Sequence, residues 1–236
     1  MNLIIVVPSY NMNEQCYKNV LSLQNQMPEA KFLVVNNSST DREYLDKLPS
    51  TITVEDNVYP NSYEAGALLH AYNKYEFDNY FLIQDSIEMF DCFEIIDYVN
   101  KDYNFVLALN LFCPAAHMTT TAHKDYIKDN FKTLSTSMFM KAGIATNSFI
   151  AKRSYIQQII DAGIFTPENL PKNKLGSECW ERVFGLAFSK FKIDLKCFQA
   201  SYSRQFMNSI PGLAQHKIAH ILRSGNKFHK FILARS

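Results

Sequence analysis

The stretch LIIVVPSY, residues 3–10, is a continuous apolar run that ends in Pro8 and Ser9. Such a run is typical of a strand that is buried on both faces of a parallel sheet. Three further strand patterns follow in the first hundred residues: KFLVVNNSSTD (31–41), TITVEDN (51–57) and YFLIQ (80–84). Helical patterns lie between them at 13–27 and 62–75. Strands that alternate with helices predict an α/β fold with a mainly parallel sheet.

The composition suits one large folded domain or two closely fused subdomains, because the 236 residues are 47% hydrophobic and include only 7 Gly. No apolar stretch approaches the ~20 residues that a membrane-spanning helix needs. The N-terminal run has the length of a strand and no basic segment before it, so we expect no signal peptide. The five Cys are widely spaced and form no CxxC pair. This spacing favours reduced thiols in a cytosolic protein.

The charge is divided unevenly along the chain. Residues 1–100 contain 15 Asp and Glu against 5 Lys and Arg, whereas residues 101–236 contain 8 against 19. An acidic half can hold a cation, and a basic half can attract phosphates or an anionic surface. The alternative is that the two halves simply attract each other across a subdomain boundary.

The second half contains further strand and helix patterns. YNFVLALNLF (103–112) predicts a strand, and residues 143–154 predict another that leads into a helix ending near Gly163. Residues 113–137 lack clean periodicity, which predicts a long loop that covers the site or shapes an acceptor pocket. A later helix with one buried face is indicated by apolar residues at helical spacing: Trp180, Val183, Phe184 and Ala187.

Polar residues end each of the four strands in the first half. Ligands of α/β proteins bind outside the carboxyl ends of parallel strands, so we expect these residues to line a binding site. They are Pro8, Ser9, Tyr10 and Asn11 after the first strand, Asn36, Asn37, Ser39 and Asp41 after the second, Asn57 after the third, and Gln84 and Asp85 after the fourth.

Four segments in this order, VVPSYN, VVNNSSTD, NSYEAGALLHA and FLIQDS, resemble the nucleotide-sugar half of a GT-A glycosyltransferase of the inverting family-2 type. The resemblance covers residues 1–90 and, more loosely, 140–195. It implies a GT-A (Rossmann-like) fold in which residues 1–100 bind the nucleotide sugar and residues 101–212 form the acceptor-binding half of the same domain. A basic helical tail, 213–236, would follow.

The resemblance also implies roles for the strand ends. The turn from Pro8 to Asn11 would pack on the nucleobase, and the loop with Asn36, Asn37, Ser39 and Asp41 would contact the base and ribose. Asp85, preceded by Gln84, would bind Mn²⁺ or Mg²⁺ on the diphosphate.

Two departures from that pattern concern charge. Asn36 stands where the pattern often has Asp, and Asp85 is the one carboxylate left of an Asp-x-Asp cluster. One Asp, the diphosphate oxygens and water can suffice for Mg²⁺. The alternative is that Asp85 has a structural role and binds no metal.

Inverting sugar transfer needs a general base near the acceptor hydroxyl. The resemblance places this base in a Glu-Asp pair at the start of the helix that contains Trp180, where this chain has Glu178 and Cys179. A thiol is a poor base near neutral pH unless its pKa is lowered. We therefore expect Glu181 or Glu178 to take the role, and Glu181 ahead of Glu178, because Trp180 would remove water from it. A surface Glu-Arg pair with Arg182 is the alternative.

The C-terminal segment is basic, since the residues after Leu213 include Lys217, Arg223, Lys227, Lys230 and Arg235 and no acid. Its apolar positions fit helix faces. A basic amphipathic helix favours contact with an anionic membrane, or packing on the parent domain with its Lys outward. Several His are candidates for a further metal ligand: His117, His123, His216, His220 and His229.

These features predict a glycosyltransferase that moves a hexose-type sugar from a nucleoside diphosphate, such as a UDP-sugar, to a hydroxyl of a glycan or lipid-linked acceptor. Polysaccharide biosynthesis in the cytoplasm or at its membrane face is the expected setting. A nucleotidyltransferase is disfavoured because PSYNMNEQ lacks a Gly-rich, Arg-bearing phosphate loop. Nucleic-acid binding is disfavoured because no recognised module is present. The alternative is a degenerate relative that binds sugar nucleotide or glycan without turnover.

Overall fold

The computed structural model describes residues 1–109, 121–134, 143–197 and 228–230. The strands in these ranges are β1 (Leu3–Ser9), β2 (Lys31–Asn36), β3 (Ile52–Asp56), β4 (Asn79–Leu82), β5 (Ile87–Met89), β6 (Phe105–Ala108), β7 (Phe149–Lys152), β8 (Asp194–Cys197) and β9 (Phe228–Lys230). The helices are α1 (Glu14–Gln26), α2 (Tyr63–Lys74), α3 (Phe93–Lys101), α4 (Thr121–Asn130), α5 (Arg153–Asp161) and α6 (Lys174–Lys190). Short 3₁₀ turns lie at Ala145–Asn147 and Pro167–Asn169.

Seven strands form one sheet in the order β3-β2-β1-β4-β7-β6-β8. β1 is parallel to β2 and to β4, and the pairs β2–β3 and β6–β8 are also parallel. β7 runs antiparallel to both of its neighbours. The sheet is therefore mainly parallel, as the alternation of strands and helices predicted, and it continues from the first half of the sequence into the second.

Helices cover both faces of this sheet, so β1 is buried on both sides. Ile4 and Val6 pack in a core with residues of α2, α5 and α6, whereas Leu3, Ile5 and Val7 pack in a second core with residues of α1 and α3. Coverage of both faces explains why β1 has no polar alternation. It also leaves the strand ends as the place where polar groups of the sheet can meet a ligand.

The prediction of a long loop at 113–137 was wrong for part of that range, because α4 occupies residues 121–130. This helix buries only His123 and Ile127, which are four residues apart. Two positions do not produce a visible period of 3.6 in the sequence. The helix packs against α6, so tertiary contact stabilises a segment whose own pattern is weak.

The C-terminal segment contains a strand instead of a helix where the structure describes it. β9, at residues 228–230, pairs antiparallel with β5, which begins two residues after Asp85. The predicted helical tail is therefore wrong for these three residues, and the rest of 213–236 lies outside the described residues. An unpaired strand edge accepts a further strand through its free backbone groups, which local helical spacing does not reveal. Within the described ranges, each helix is too short or too polar to span a bilayer.

Candidate functional site

The carboxyl ends of β1, β2 and β3 lie side by side, because Ser9 is paired with Asn36 and Asn36 with Asp56. The end of β4 joins them through a side-chain contact. Ser9 Oγ donates a 2.7 Å hydrogen bond to Oδ2 of Asp85, although the two residues are 76 positions apart. The polar strand ends therefore form one continuous edge: residues 8–11, 36–41, 56–57 and 84–86. We call it the donor edge, after the role in binding a sugar donor that the resemblance implies.

Asp85 is only 2% exposed, so its carboxylate needs polar partners to offset the loss of hydration. The hydroxyl of Ser9 supplies one of them. The backbone around it is also held, since Asn19 of α1 donates from Nδ2 to the carbonyl of Asp85 at 3.0 Å. Asp85 is thus oriented by the first strand and the first helix.

Asn11 fastens the turn after β1 to the loop after β2. The side-chain Oδ1 of Asn11 accepts hydrogen bonds from the backbone amides of Thr40 at 2.9 Å and Asp41 at 3.2 Å. The backbone amide of Asn11 donates to Ser39 Oγ at 2.8 Å. Asn11 has φ 47°, a left-handed conformation that Asn adopts more readily than most residues. The first two motifs of the resemblance are therefore joined into one structural unit.

The residues of this unit differ in what they can offer a ligand. Pro8 and Ser9 are buried within the sheet, and Asn11 is 9% exposed and engaged with the loop after β2. Tyr10 is 45% exposed, which makes it the large apolar side chain that the first turn presents to solvent. Asp41 is also exposed, and its Oδ1 accepts from the amide of Glu43 at 2.9 Å.

The amides of Asn36, Asn37 and Asn57 connect β2 to β3. Asn36 accepts from the amide of Ser39 at 3.0 Å through Oδ1 and donates to Oδ1 of Asp56 at 2.7 Å. Asn57 donates to Oδ1 of Asn37 at 2.6 Å. These contacts bring Asn36, Asn37, Ser39 and Asn57 together within the donor edge, as the sequence predicted.

Glu64, in the first turn of α2, joins the donor edge to α6. Its Oε1 accepts from Nε2 of Gln84 at 2.5 Å, and its Oε2 accepts from Oγ of Ser177 at 3.3 Å. From the sequence alone, Glu64 is expected only to favour the start of a helix, because a carboxylate in the first turn interacts well with the helix dipole. Its two partners lie 20 and 113 positions away, so no local pattern could have identified them.

Gly66, one turn into α2, allows a close approach within this edge. A Cβ at this position would lie 1.5 Å from Oγ of Ser62 and 3.2 Å from Nδ2 of Asn57. From the sequence alone, a glycine inside this helix predicts a close approach to the sheet or to a donor sugar. The structure instead shows contact with Ser62, which precedes the helix and itself accepts from Asn57 at 3.3 Å.

The two candidate bases of α6, Glu181 and Glu178, contact different parts of the protein. Oε1 of Glu181 accepts from the backbone amide of Thr146 at 2.9 Å. Oε2 of Glu178 lies 3.3 Å from Nε2 of His123, and Oε1 lies 3.9 Å from Nζ of Lys174. Glu178 follows Ser177 directly, so the bridge from Glu64 places the first turn of α6 beside the donor edge.

Cys179 and Trp180 point into the interior of the protein. Cys179 is fully buried, and burial, with a smaller contribution from the charge of Glu178, raises the pKa of its thiol to about 12. Trp180 is also fully buried and packs against Phe131, Phe165 and Phe184. The indole thus belongs to the aromatic core. A thiol with this pKa cannot act as a base near neutral pH.

Solved structures align with nearly the whole chain. Glucosyl-3-phosphoglycerate synthase of M. tuberculosis matches 99% of this chain and 88% of its own, with 13% identity and a TM-score of 0.54. TarS 1-349 of S. aureus in complex with UDP-GlcNAc matches 95% of this chain and 66% of its own, with 12% identity and a TM-score of 0.52. The chain has the GT-A glycosyltransferase fold.

A second structure of the synthase, in complex with Mn²⁺, UDP-glucose and phosphoglyceric acid, is similar over the same 99% of this chain, with 12% identity and a TM-score of 0.52. This chain is also similar to a longer TarS structure and spans 36% of the length of that TarS chain, with 16% identity. No protein-family model matches the sequence, and no curated protein sequence matches it.

The donor edge of this GT-A chain offers oxygen ligands but few carboxylates. Among the described residues, no group of three or more His, Cys, Asp or Glu is arranged to hold a metal ion. His123 lies beside Glu178 on the α6 side, while His117, His216 and His220, and the side chain of His229, lie outside the described residues. Asp85 therefore fits a hard cation only as one ligand among others, which a bound diphosphate and water would supply.

Glu88, in β5, is an acidic residue that follows Asp85 by three positions in the chain. Its carboxyl is half-buried, which raises its pKa, and in the part of the chain that the structure describes its Oε2 has no hydrogen-bond partner. In the β5–β9 ladder, the residue opposite Glu88 is His229. From the sequence alone, Glu88 is either a further carboxylate for the cation or a residue beyond the turn that faces solvent.

Proposed function

We propose that this protein is a glycosyltransferase that binds a nucleoside-diphosphate sugar along the donor edge and transfers the sugar to an acceptor hydroxyl. The hydrogen bond from Ser9 to Asp85 carries this proposal, because it brings the end of β4 to the ends of β1 and β2 in a GT-A fold. A polar edge with one oriented carboxylate suits a ligand that combines a base, a ribose and a diphosphate.

The exposed ring of Tyr10 would stack on the nucleobase, since an aromatic face at the surface gains most from a planar apolar partner. Asp41 and the loop held by Asn11 would meet the ribose. Uridine is the proposed base, because UDP and UDP-sugars are bound in the similar structures of TarS and of the synthase.

A divalent cation, Mn²⁺ or Mg²⁺, would be held by Asp85 together with the oxygens of the diphosphate. When bound, such an ion neutralises charge on the departing diphosphate. Ser9 and Asn19 would keep Asp85 in place for this contact, as they do in the structure.

Glu181 or Glu178 would accept the proton of the acceptor hydroxyl, with inversion by direct displacement. The backbone amide of Thr146 donates to Oε1 of Glu181 and orients its carboxylate. Glu178 lies next to Ser177, which contacts the bridge from the donor edge. Geometry supports both Glu181 and Glu178 as the general base, so an experiment has to decide between them.

Binding without turnover is the second candidate function, and the burial of Cys179 favours it. The residue at the position of the implied catalytic Asp is a fully buried thiol with a pKa of about 12. A chain with this thiol and with Asp85 alone in place of an Asp-x-Asp cluster could still bind a sugar nucleotide or glycan through the donor edge.

Titration calorimetry with UDP, UDP-glucose and UDP-GlcNAc, each with and without Mn²⁺, tests the donor site. We expect binding that Mn²⁺ strengthens at least tenfold in the wild-type chain and in the exposed control Asp129→Asn, but not in Asp85→Asn. An assay of UDP release from UDP-glucose and UDP-GlcNAc then separates an enzyme from a binding protein. In an enzyme, the sugar is transferred to water or to an added acceptor and UDP is released. Absence of binding to every nucleotide would refute both.

A further inference from the structure

Glu64 contacts a direct neighbour of the candidate metal ligand and a direct neighbour of a candidate base. Gln84, its partner through Oε1, immediately precedes Asp85. Ser177, its partner through Oε2, immediately precedes Glu178. One carboxylate therefore joins the two parts of the site that would have to act together during sugar transfer.

The bridge consists of hydrogen bonds from two neutral donors, an amide and a hydroxyl. A carboxylate only accepts hydrogen bonds, and hydrogen bonds to a charged acceptor are stronger than those between neutral groups. Ser177 is 5% exposed, so solvent cannot readily replace Glu64 as the acceptor for its hydroxyl. The orientation of the first turn of α6 thus depends on where the Glu64 carboxylate lies.

The turn that carries Glu64 is itself anchored to the donor edge. The carbonyl of Tyr63 accepts from Nδ2 of Asn37 at 3.4 Å, and Gly66 packs directly against Ser62. Tyr63 has φ 54°, a left-handed conformation that is uncommon for a residue with a side chain. The surrounding contacts hold this backbone in place, so a displacement at the donor edge reaches Ser177 through Glu64 instead of being absorbed by a loose turn.

We propose that Glu64 is a positioning residue that couples occupancy of the donor edge to the alignment of the first turn of α6. It acts through Gln84 and Ser177 and touches no reacting atom. The inference rests on the proposed function for the nature of the ligand, whereas the link between Glu64 and α6 is a contact within the protein itself.

Hydrogen exchange of the full chain tests this link, because the amides of Gly176 and Ser177 are bonded to Asn173 and report opening of the first turn of α6. Glu64→Gln keeps the size of the side chain but leaves one acceptor oxygen for two donors. We expect amides of residues 176–181 to exchange at least about fivefold faster in ligand-free Glu64→Gln, while those of α5 keep their wild-type rates. Saturating UDP should slow exchange at 176–181 in the wild type and not in the variant.

Two variants of Ser177 provide the matched controls. Ser177→Thr keeps the hydroxyl and should exchange as the wild type does, whereas Ser177→Ala should reproduce the faster exchange at α6. In the double variant Glu64→Gln/Ser177→Ala, the amides of residues 176–181 should exchange no faster than in Glu64→Gln alone. The reason is that both changes break the same contact between Glu64 and Ser177.

Wild-type exchange rates at 176–181 in Glu64→Gln would overturn the inference, as would equal effects of Thr and Ala at position 177. Failure of the proposed function has a different signature. In that case UDP would not bind the wild type in calorimetry, and the ligand-free rates would still decide whether Glu64 positions α6.

Discussion

The side chain of Asn36 donates a 2.7 Å hydrogen bond to the carboxylate of Asp56, the residue directly opposite it in the β2–β3 pair. Nη1 of Arg42 donates to the same oxygen at 2.9 Å. The hydrogen bond from Asn36, followed by the contribution of Arg42, holds the pKa of Asp56 below its ordinary value. The resemblance stated in the sequence analysis implies Asp at this position, where its carboxylate would face that of Asp56. In the pair of positions 36 and 56, the negative charge therefore lies on β3 instead of β2.

We expect Asn36→Asp to lower the free energy of unfolding at pH 7 by about 1–3 kcal/mol, because a buried donor to Asp56 becomes a like charge. The loss should shrink below about pH 4, where protonation of either carboxyl restores a donor. Urea unfolding at both pH values measures the change. The exchanged pair Asn36→Asp/Asp56→Asn restores one amide and one carboxylate and should recover most of the loss. An exchanged pair that is no more stable than Asn36→Asp would contradict this account.

The two glutamates of α6 should respond differently to loss of charge. We expect either Glu181→Gln or Glu178→Gln to lower the turnover rate by about 10²–10⁴-fold, the usual contribution of a general base, while donor affinity stays within about twofold. Release of UDP from a UDP-sugar measures the rate, and calorimetry measures the affinity. Glu168→Gln, an exposed carboxylate in the turn Pro167–Asn169, is the control. Full activity in both α6 variants would exclude these two glutamates as the base.

Replacing Cys179 by Asp tests whether this position can hold a charge. The site is fully buried, so we expect Cys179→Asp to lower the free energy of unfolding by on the order of 3 kcal/mol at pH 7 relative to Cys179→Ala. Burial would raise the folded-state pKa of the new carboxyl above its unfolded value. The penalty should therefore be complete above the folded pKa and should disappear as the pH falls below the unfolded pKa.

Thermal and urea unfolding of the Asp and Ala variants at pH 7 and pH 4 check that prediction. Equal stability of the two variants at pH 7 would show that water reaches the site. A turnover rate that rises in Cys179→Asp would identify residue 179 as the position of the base.

Glu55, on β3, links the sheet to α2 through a group of hydrogen bonds. Its Oε1 accepts from Lys74 at 2.8 Å and from Tyr75 at 2.5 Å, and its Oε2 lies 2.7 Å from Nε2 of His70. Burial alone would raise the pKa of Glu55, but the hydrogen bonds from Lys74, Tyr75 and His70 outweigh it and lower the pKa to about 2.

The folded pKa of Glu55 lies below its unfolded value of about 4.5, so its charge stabilises the fold above pH 4.5 and this contribution is lost as the pH falls towards 2. We expect Glu55→Gln to cost about 1–3 kcal/mol of unfolding free energy at pH 7 and roughly two fifths of that at pH 3. Urea unfolding at the two pH values gives the difference. Glu76→Gln, exposed after α2, should change neither. A constant cost for Glu55→Gln across this range would argue against the ionised carboxylate as its source.

The strands of the donor edge and the order of its motifs could be predicted from the sequence, because burial on both faces leaves an uninterrupted apolar run. The run at 3–10 predicted β1, and the polar residues after each run predicted the edge where Ser9 meets Asp85. α6 was predicted for the same reason, since Trp180 and Phe184 face one core. These are local signals, and they report that a face is buried.

Only the tertiary structure decided which element covers each face of the sheet. It also decided which distant side chain each polar group contacts. Asn36 finds Asp56 through strand pairing, and Glu64 finds Ser177 because α2 and α6 pack on the same side of the sheet. α4 is short and buries two residues, and β9 pairs with β5, a strand in the first half of the sequence. Such contacts depend on packing between segments that are remote in the chain, and no period of 2 or 3.6 residues encodes them.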